Sequence, residues 1–183
     1  HKDWPKSEWW KDYHDPQLTG LIVKALDDAP DILDHELMLR ADLITPVDAD
    51  LIPLGPPAPV EGTHLDFRHA EPLGPRLDGP PIDHNLCLSD RRRIYPQKAA
   101  TLQAGRLMMT IRSTEPGIQV YTANHFAPGA PGIGGHPYGR HAGIALESQN
   151  WPDAPNHADY PSALLKPGEL YRQVTTLGFQ TCA

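Results

Sequence analysis

Long apolar runs are missing from this chain. No stretch approaches the roughly 20 residues that cross a bilayer, and the opening HKDWPKSEWWKDYHD lacks the apolar core of a secretion signal. Both point away from a membrane partner. Basic charge is scarce too: 16 Lys and Arg stand against 23 Asp and Glu, for a net charge of -7. That balance argues against a nucleic-acid partner, because neutralising phosphates needs clustered cations. Arg91-Arg92-Arg93 is the one basic cluster, and it reads as a solvated loop. Cysteine is nearly absent. Cys87 and Cys182 match no metal or redox spacing, and a chain of 183 residues has no need of a disulfide framework, so a reducing, cytoplasmic setting is expected. An initiator Met is lacking as well, which reads as a processed chain or a fragment.

Proline and glycine, by contrast, are abundant, with 21 and 15 residues. They gather between short apolar segments, in LIPLGPPAPVEG (51–62), EPLGPRLDGPP (71–81) and APGAPGIGGHPYG (127–139). Such punctuation of short alternating runs predicts an all-β sandwich or barrel. Disorder fits poorly, since the intervening segments are too apolar and too well alternated. Five stretches carry the period of a strand: 35–42, 106–113, 117–124, 143–149 and 169–179. In these, Leu37 and Leu39 share a face, as do Leu107, Met109 and Ile111, and as do Ile118, Val120 and Thr122. QKAATLQA (97–104) and the segment 16–28 read as short helices.

Residue usage changes near residue 30. Every basic residue before it is Lys, whereas ten Arg and two Lys follow it, and three of the four Trp lie in the first ten residues. We expect an atypical segment over 1–30 and a sandwich domain over 31–183.

Five stretches combine acids, amides and histidines beside turn residues: GTHLDFR (62–68), IDHN (82–85), EPGIQVYT (115–122), LESQNWPDAPN (146–156) and PSALLKPGE (161–169). Singly, each has a plain explanation as a turn or a solvated strand. Together, and with HELMLRADLITPVDADLIPLG ahead of them, they run in one order over about 150 residues. In that order the chain resembles the C-terminal half of the aldose 1-epimerase, or galactose mutarotase, family. The resemblance implies an antiparallel β-sandwich of the galactose mutarotase type, apparently incomplete on its N-terminal side. It also implies a free aldose such as glucose or galactose as the small-molecule partner, with no metal and no cofactor.

Mutarotation opens a sugar ring to an aldehyde and closes it as either anomer. It needs a base on the C1 hydroxyl and an acid on the ring oxygen, each within about 3 Å of its target. By resemblance, Glu147 in LESQ matches the general base, Asp83 in IDHN an aspartate that bonds sugar hydroxyls, and Gln119 in PGIQVYT a glutamine of the same cleft. Tyr121 shares the face of Gln119, and Gln149 is placed to orient Glu147. His84 and Asn85 are expected to stabilise a turn, and Ile82 stands where an aromatic residue is common in the motif.

One departure is larger. The family's acid is a histidine in an Asn-x-Thr-Asn-His-like stretch just before Asp31, and here that place holds HDPQLTGLIVKALDDAP. His14 lies near it but outside any such motif, so the chain is expected to turn sugar over poorly by itself. The remaining histidines read as scattered loop residues, and His136 and His141 are badly spaced for a metal pair. The alternative is a truncated, non-catalytic sugar-binding sandwich. A glycosidase using Asp83 and Glu147 fits the residue types but not the motif order.

Overall fold

The computed structural model describes residues 9–27, 32–127, 129 and 137–182. A 3-10 turn, Trp9–Tyr13, precedes helix α1, Pro16–Asp27. Asp15 starts that helix: its Oδ1 accepts the Leu18 amide at 3.0 Å, and Pro16 takes the first position, where a missing N–H costs nothing. A second 3-10 turn, Ile32–Asp34, leads into the strands. These are β1 (His35–Leu39), β2 (Leu43–Ile44), β3 (Ala58–Pro59), β4 (Glu71–Pro72), β5 (Asp83–Cys87), β6 (Gln97–Ala104), β7 (Leu107–Ser113), β8 (Gly117–Tyr121), β9 (Ala145–Gln149) and β10 (Thr175–Thr181). A short helix α2, Gly74–Leu77, follows β4.

The strands form two antiparallel sheets, in the order β10-β7-β6-β1-β4 and β3-β2-β5-β8-β9. Between them lies one core. Leu37, Leu39, Ala100 and Ile111 come to it from the first sheet, and Ile44, Leu86, Ile118 and Val120 from the second. The expected alternation of β1 and β8 therefore holds, and the architecture is the antiparallel sandwich that the punctuation foretold. Leu65 and Phe67, from the GTHLDFR stretch, close one end of the core.

Three expectations are corrected. QKAATLQA is strand β6, not a helix. It pairs with β1 on one side and β7 on the other, and its Ala99, Ala100 and Thr101 are buried, so two ladders override a weak helical propensity. Its turn to β7 is a two-residue hairpin in which Gly105 has φ +53, a conformation that L side chains rarely adopt. The last strand begins at Thr175, and residues 169–174 lie outside any strand. Asp83-His84-Asn85 is a strand as well, held between β2 and β8 rather than forming a turn. No helix among the described residues is long and apolar enough to cross a membrane.

Candidate active site

Strand register builds the site. Directly paired residues of an antiparallel ladder project from the same face. Asn85 pairs with Gln119, and Gln119 with Glu147, so three polar side chains cross β5, β8 and β9 in one row. The neighbouring row is Asp83, Tyr121 and Ala145. The alternate residues Leu86, Ile118 and Val120 face the core, which fixes the polar rows on the opposite face. That face is the floor of an open cleft of about 420 Å³. Gln149 and Pro152 continue its floor beyond Glu147, while Thr45, Val47 and Leu51 wall it from the loop after β2.

Asp83, Gln119 and Glu147 are thus brought together as expected. Gln119 donates from Nε2 to Asp83 Oδ1 at 2.7 Å, which fixes the orientation of the amide. Its Oε1 is then an acceptor without a hydrogen-bond partner, buried against the cleft. A buried acceptor left open favours a ligand that brings a hydroxyl to it. Glu147 stands exposed on the row, its carboxylate free to meet that ligand. Together the groups offer two carboxylates and an amide oxygen to an oxygen-rich molecule, with one carboxylate held by the amide and the other available as a base.

Asn85 is also in the row, buried to 1 % exposure, and is not a turn residue. Its Oδ1 lies so near Gly117 that a Cβ there would sit 2.4 Å from it and 2.9 Å from Trp151 Cδ1. Glycine is required at 117 by this close approach. Trp151 is seated by its indole N–H, which donates to the Pro116 carbonyl at 2.8 Å. Its ring meets Tyr160 edge-on, and Tyr160 in turn stacks on His157 and donates to the Gly55 carbonyl. His157 pairs with Asp153 at 3.1 Å, and Asp153 turns the chain with φ +61. LESQNWPDAPN therefore divides in two: its first part is cleft floor, and its second is a brace behind the end of β9.

His84 points from β5 to the opposite side, edge-on to His64 at 6.0 Å. Burial, and then the neighbouring His64, push its pKa below 6.5, and the Asp83 amide donates to its Nδ1 at 3.2 Å. It is a neutral packing residue. Other expected polar groups are structural too. Glu115 is buried and held by Arg92 through two bonds of 2.8 and 3.2 Å. Arg93 bonds the Leu88 carbonyl, so Arg92 and Arg93 are tied down, while Arg91 remains solvated beside Asp90 as expected. Asp66, bonded by Arg68, has its pKa drawn down to about 2. In PSALLKPGE, Glu169 caps the Lys166 amide.

His14 ends the first 3-10 turn and does not line the cleft. His125 does line it, which the sequence reading missed. The signal was its position four residues past the end of β8, within reach of Tyr121; the two rings lie 6.3 Å apart and 17° from parallel. His141 is committed to structure, its Nδ1 2.8 Å from the Thr122 carbonyl, and His136 lies outside the described residues. Among the described residues no group of three His, Cys, Asp or Glu gathers as metal ligands. Burial raises the Cys87 thiol to about 12, and it packs with Trp151, Ala154 and Tyr160.

A sequence model of the aldose 1-epimerase family matches residues 24–178. The chain belongs to the aldose 1-epimerase family. It is 41% identical over 155 residues to galactose mutarotase of Rattus norvegicus, covering 82% of this chain and 45% of that protein. It is 33% identical over 175 residues to aldose 1-epimerase of Escherichia coli K12, covering 88% and 50%. Among solved structures, a GalM/aldose epimerase homologue from C. elegans superposes with a TM-score of 0.75 at 25% identity, covering 85% of this chain and 49% of that one. The chain spans about half the length of the curated relatives it matches.

Proposed function

We propose that the chain carries the base and the sugar-orienting groups of an aldose 1-epimerase acting on free hexoses such as glucose and galactose. One observation carries the reading: Asp83, Gln119 and Glu147 share one cleft floor on three adjacent strands, with Gln119 bonded to Asp83 and Glu147 unencumbered. In this role Asp83 and Gln119 Oε1 accept from ring hydroxyls and fix the pyranose over the sheet. Glu147 removes the C1 hydroxyl proton, the ring opens, and rotation about C1–C2 allows either anomer to close. No metal or redox group takes part in such a step.

The ring oxygen needs a proton in return. His125 is the single imidazole among the described residues of the cleft, and it stands beside Tyr121, whose row neighbours that of Glu147. No acid is assigned among the described residues, and without one turnover is about 10²–10⁴ times slower, so slow mutarotation is expected of this chain. The names of the relatives support the reaction class.

Sugar affinity tests the orienting role. Asp83→Asn replaces a charged acceptor by a neutral group and should weaken galactose binding by about 1.5–3 kcal/mol in a calorimetric titration. Unchanged affinity would make Asp83 a residue of the sheet and nothing more. The freshly dissolved α anomer, followed by polarimetry with and without protein, separates the enzyme from a mere sugar-binding sandwich.

A further inference from the structure

Tyr121 has a second side. Its side chain lines both the polar cleft and a separate pocket of about 290 Å³. Ala123, Phe126, Tyr138, Ile144 and Ala145 line this pocket, and none of its described lining residues is charged. Phe126 meets the Tyr121 ring edge-on at 6.2 Å, and the Tyr121 hydroxyl is engaged by the His125 amide at 3.3 Å. The shared wall is thus aromatic and its polar atom is already bonded. Phe126 and Tyr138 nevertheless remain 48% and 45% exposed, a large apolar surface for two loop residues to leave in water.

Register sets how near the two spaces are. The row Asp83-Tyr121-Ala145 is two residues along the strands from the row Asn85-Gln119-Glu147. At about 3.3 Å per residue, the polar and apolar regions are separated by only about 7 Å. Ala145, opposite Tyr121, contributes a single methyl group, so no bulky side chain rises from β9 to divide them. An apolar cavity of about 150 Å³ suffices for benzene, and this pocket is larger.

We propose that the pocket behind Tyr121 is a subsite for an apolar substituent, aryl or alkyl, borne by the hexose held in the polar cleft. The assignment rests on the sugar-binding reading of that cleft. The hexose hydroxyls meet Asp83 and Gln119, and the substituent passes the edge of Tyr121 to lie against Phe126 and Tyr138. The ligand class is a hexose with one hydrophobic group, and its affinity has a polar and an apolar part that different residues control.

Binding to the whole chain by titration calorimetry separates the two parts. The probes are phenyl β-D-galactopyranoside against methyl β-D-galactopyranoside, and 6-O-benzyl-D-galactose against 6-O-methyl-D-galactose. At least one aryl sugar should bind about tenfold or more tightly than its methyl counterpart, the usual gain for burying a group of that size. Tyr138→Ser and Phe126→Ser should each cut that ratio severalfold, and Tyr138→Ser should leave methyl-sugar affinity unchanged. Asp83→Asn should weaken both members of a pair and preserve their ratio. Ratios near one for both pairs overturn the subsite, as does a ratio that survives both serine substitutions in folded protein. Loss of the ratio in the serine variants with no effect of Asp83→Asn would keep the subsite and sink the cleft reading. If none of the four sugars binds, both are wrong.

Discussion

Strands β9 and β10 are both edges, one closing each sheet, yet they are treated in opposite ways. β10 has the longer register, seven residue pairs with β7, and every one of its residues is exposed. Leu177 and Phe179 stand 56% and 63% open on the face that continues the core row of Ile111 and Met109. β9 has five pairs with β8, but its residues are mostly half-buried. The Gln173 side chain donates to the Ser148 carbonyl on it at 2.8 Å, and the Trp151–Tyr160–His157 brace secures its end. Ladder pairing alone therefore sets neither burial nor precision. The edge that carries Glu147 is the one with mostly half-buried side chains and anchored flanks.

The comparison can be broken most sharply at Gly117. Gly117→Ala drives a methyl into Asn85 Oδ1 and the Trp151 ring at once. We expect a loss of about 1–3 kcal/mol in denaturant unfolding, with galactose affinity falling alongside as the β8–β9 floor shifts. Wild-type stability with an Ala at 117 would mean that the brace behind β9 is loose.

A smaller effect should separate the two sheets by pH. The folded pKa of His84 lies below the 6.5 of the free side chain, so the unfolded chain takes up its proton first as pH falls. Stability is then full above pH 6.5 and declines as pH drops from 6.5 toward the folded value. His84→Gln should flatten thermal stability between pH 7 and 5. An equal decline in both proteins would show that His84 is not the titrating group.

The smallest effect belongs to β10. Leu177→Thr with Phe179→Thr removes side chains that contribute little burial, so each change should stay within about 0.5 kcal/mol. Self-association measured by sedimentation should decrease, because an exposed apolar edge invites pairing with other chains. A loss of several kcal/mol would mean that β10 is packed as firmly as β9.

Much of this was legible in the sequence because period-two alternation is a local property. Leu37 and Leu39, and Ile118 and Val120, could be assigned to the core from their spacing alone. The site was legible for a different reason, through motifs whose order matched a family. What failed had physical causes outside the local window. QKAATLQA contains helix formers, and only two flanking ladders make it a strand. Asp83-His84-Asn85 has the composition of a turn, and nothing nearby says that its odd positions meet a cleft while His84 meets His64. His125 and Tyr138 depend on how the β8–β9 hairpin folds back, which spacing does not encode. Glu115 sits in a motif of the site but is spent on Arg92, a partner 23 residues away.

We expect Glu147, on the braced edge, to be the base. Exchange between the α and β anomers of D-galactose, measured by magnetisation-transfer NMR at high protein concentration, tests it for the parent and for Glu147→Gln. We expect slow exchange above buffer for the parent, and exchange at the buffer rate for the Gln variant, with sugar affinity retained. Parental exchange in a Gln variant that binds galactose normally would contradict it.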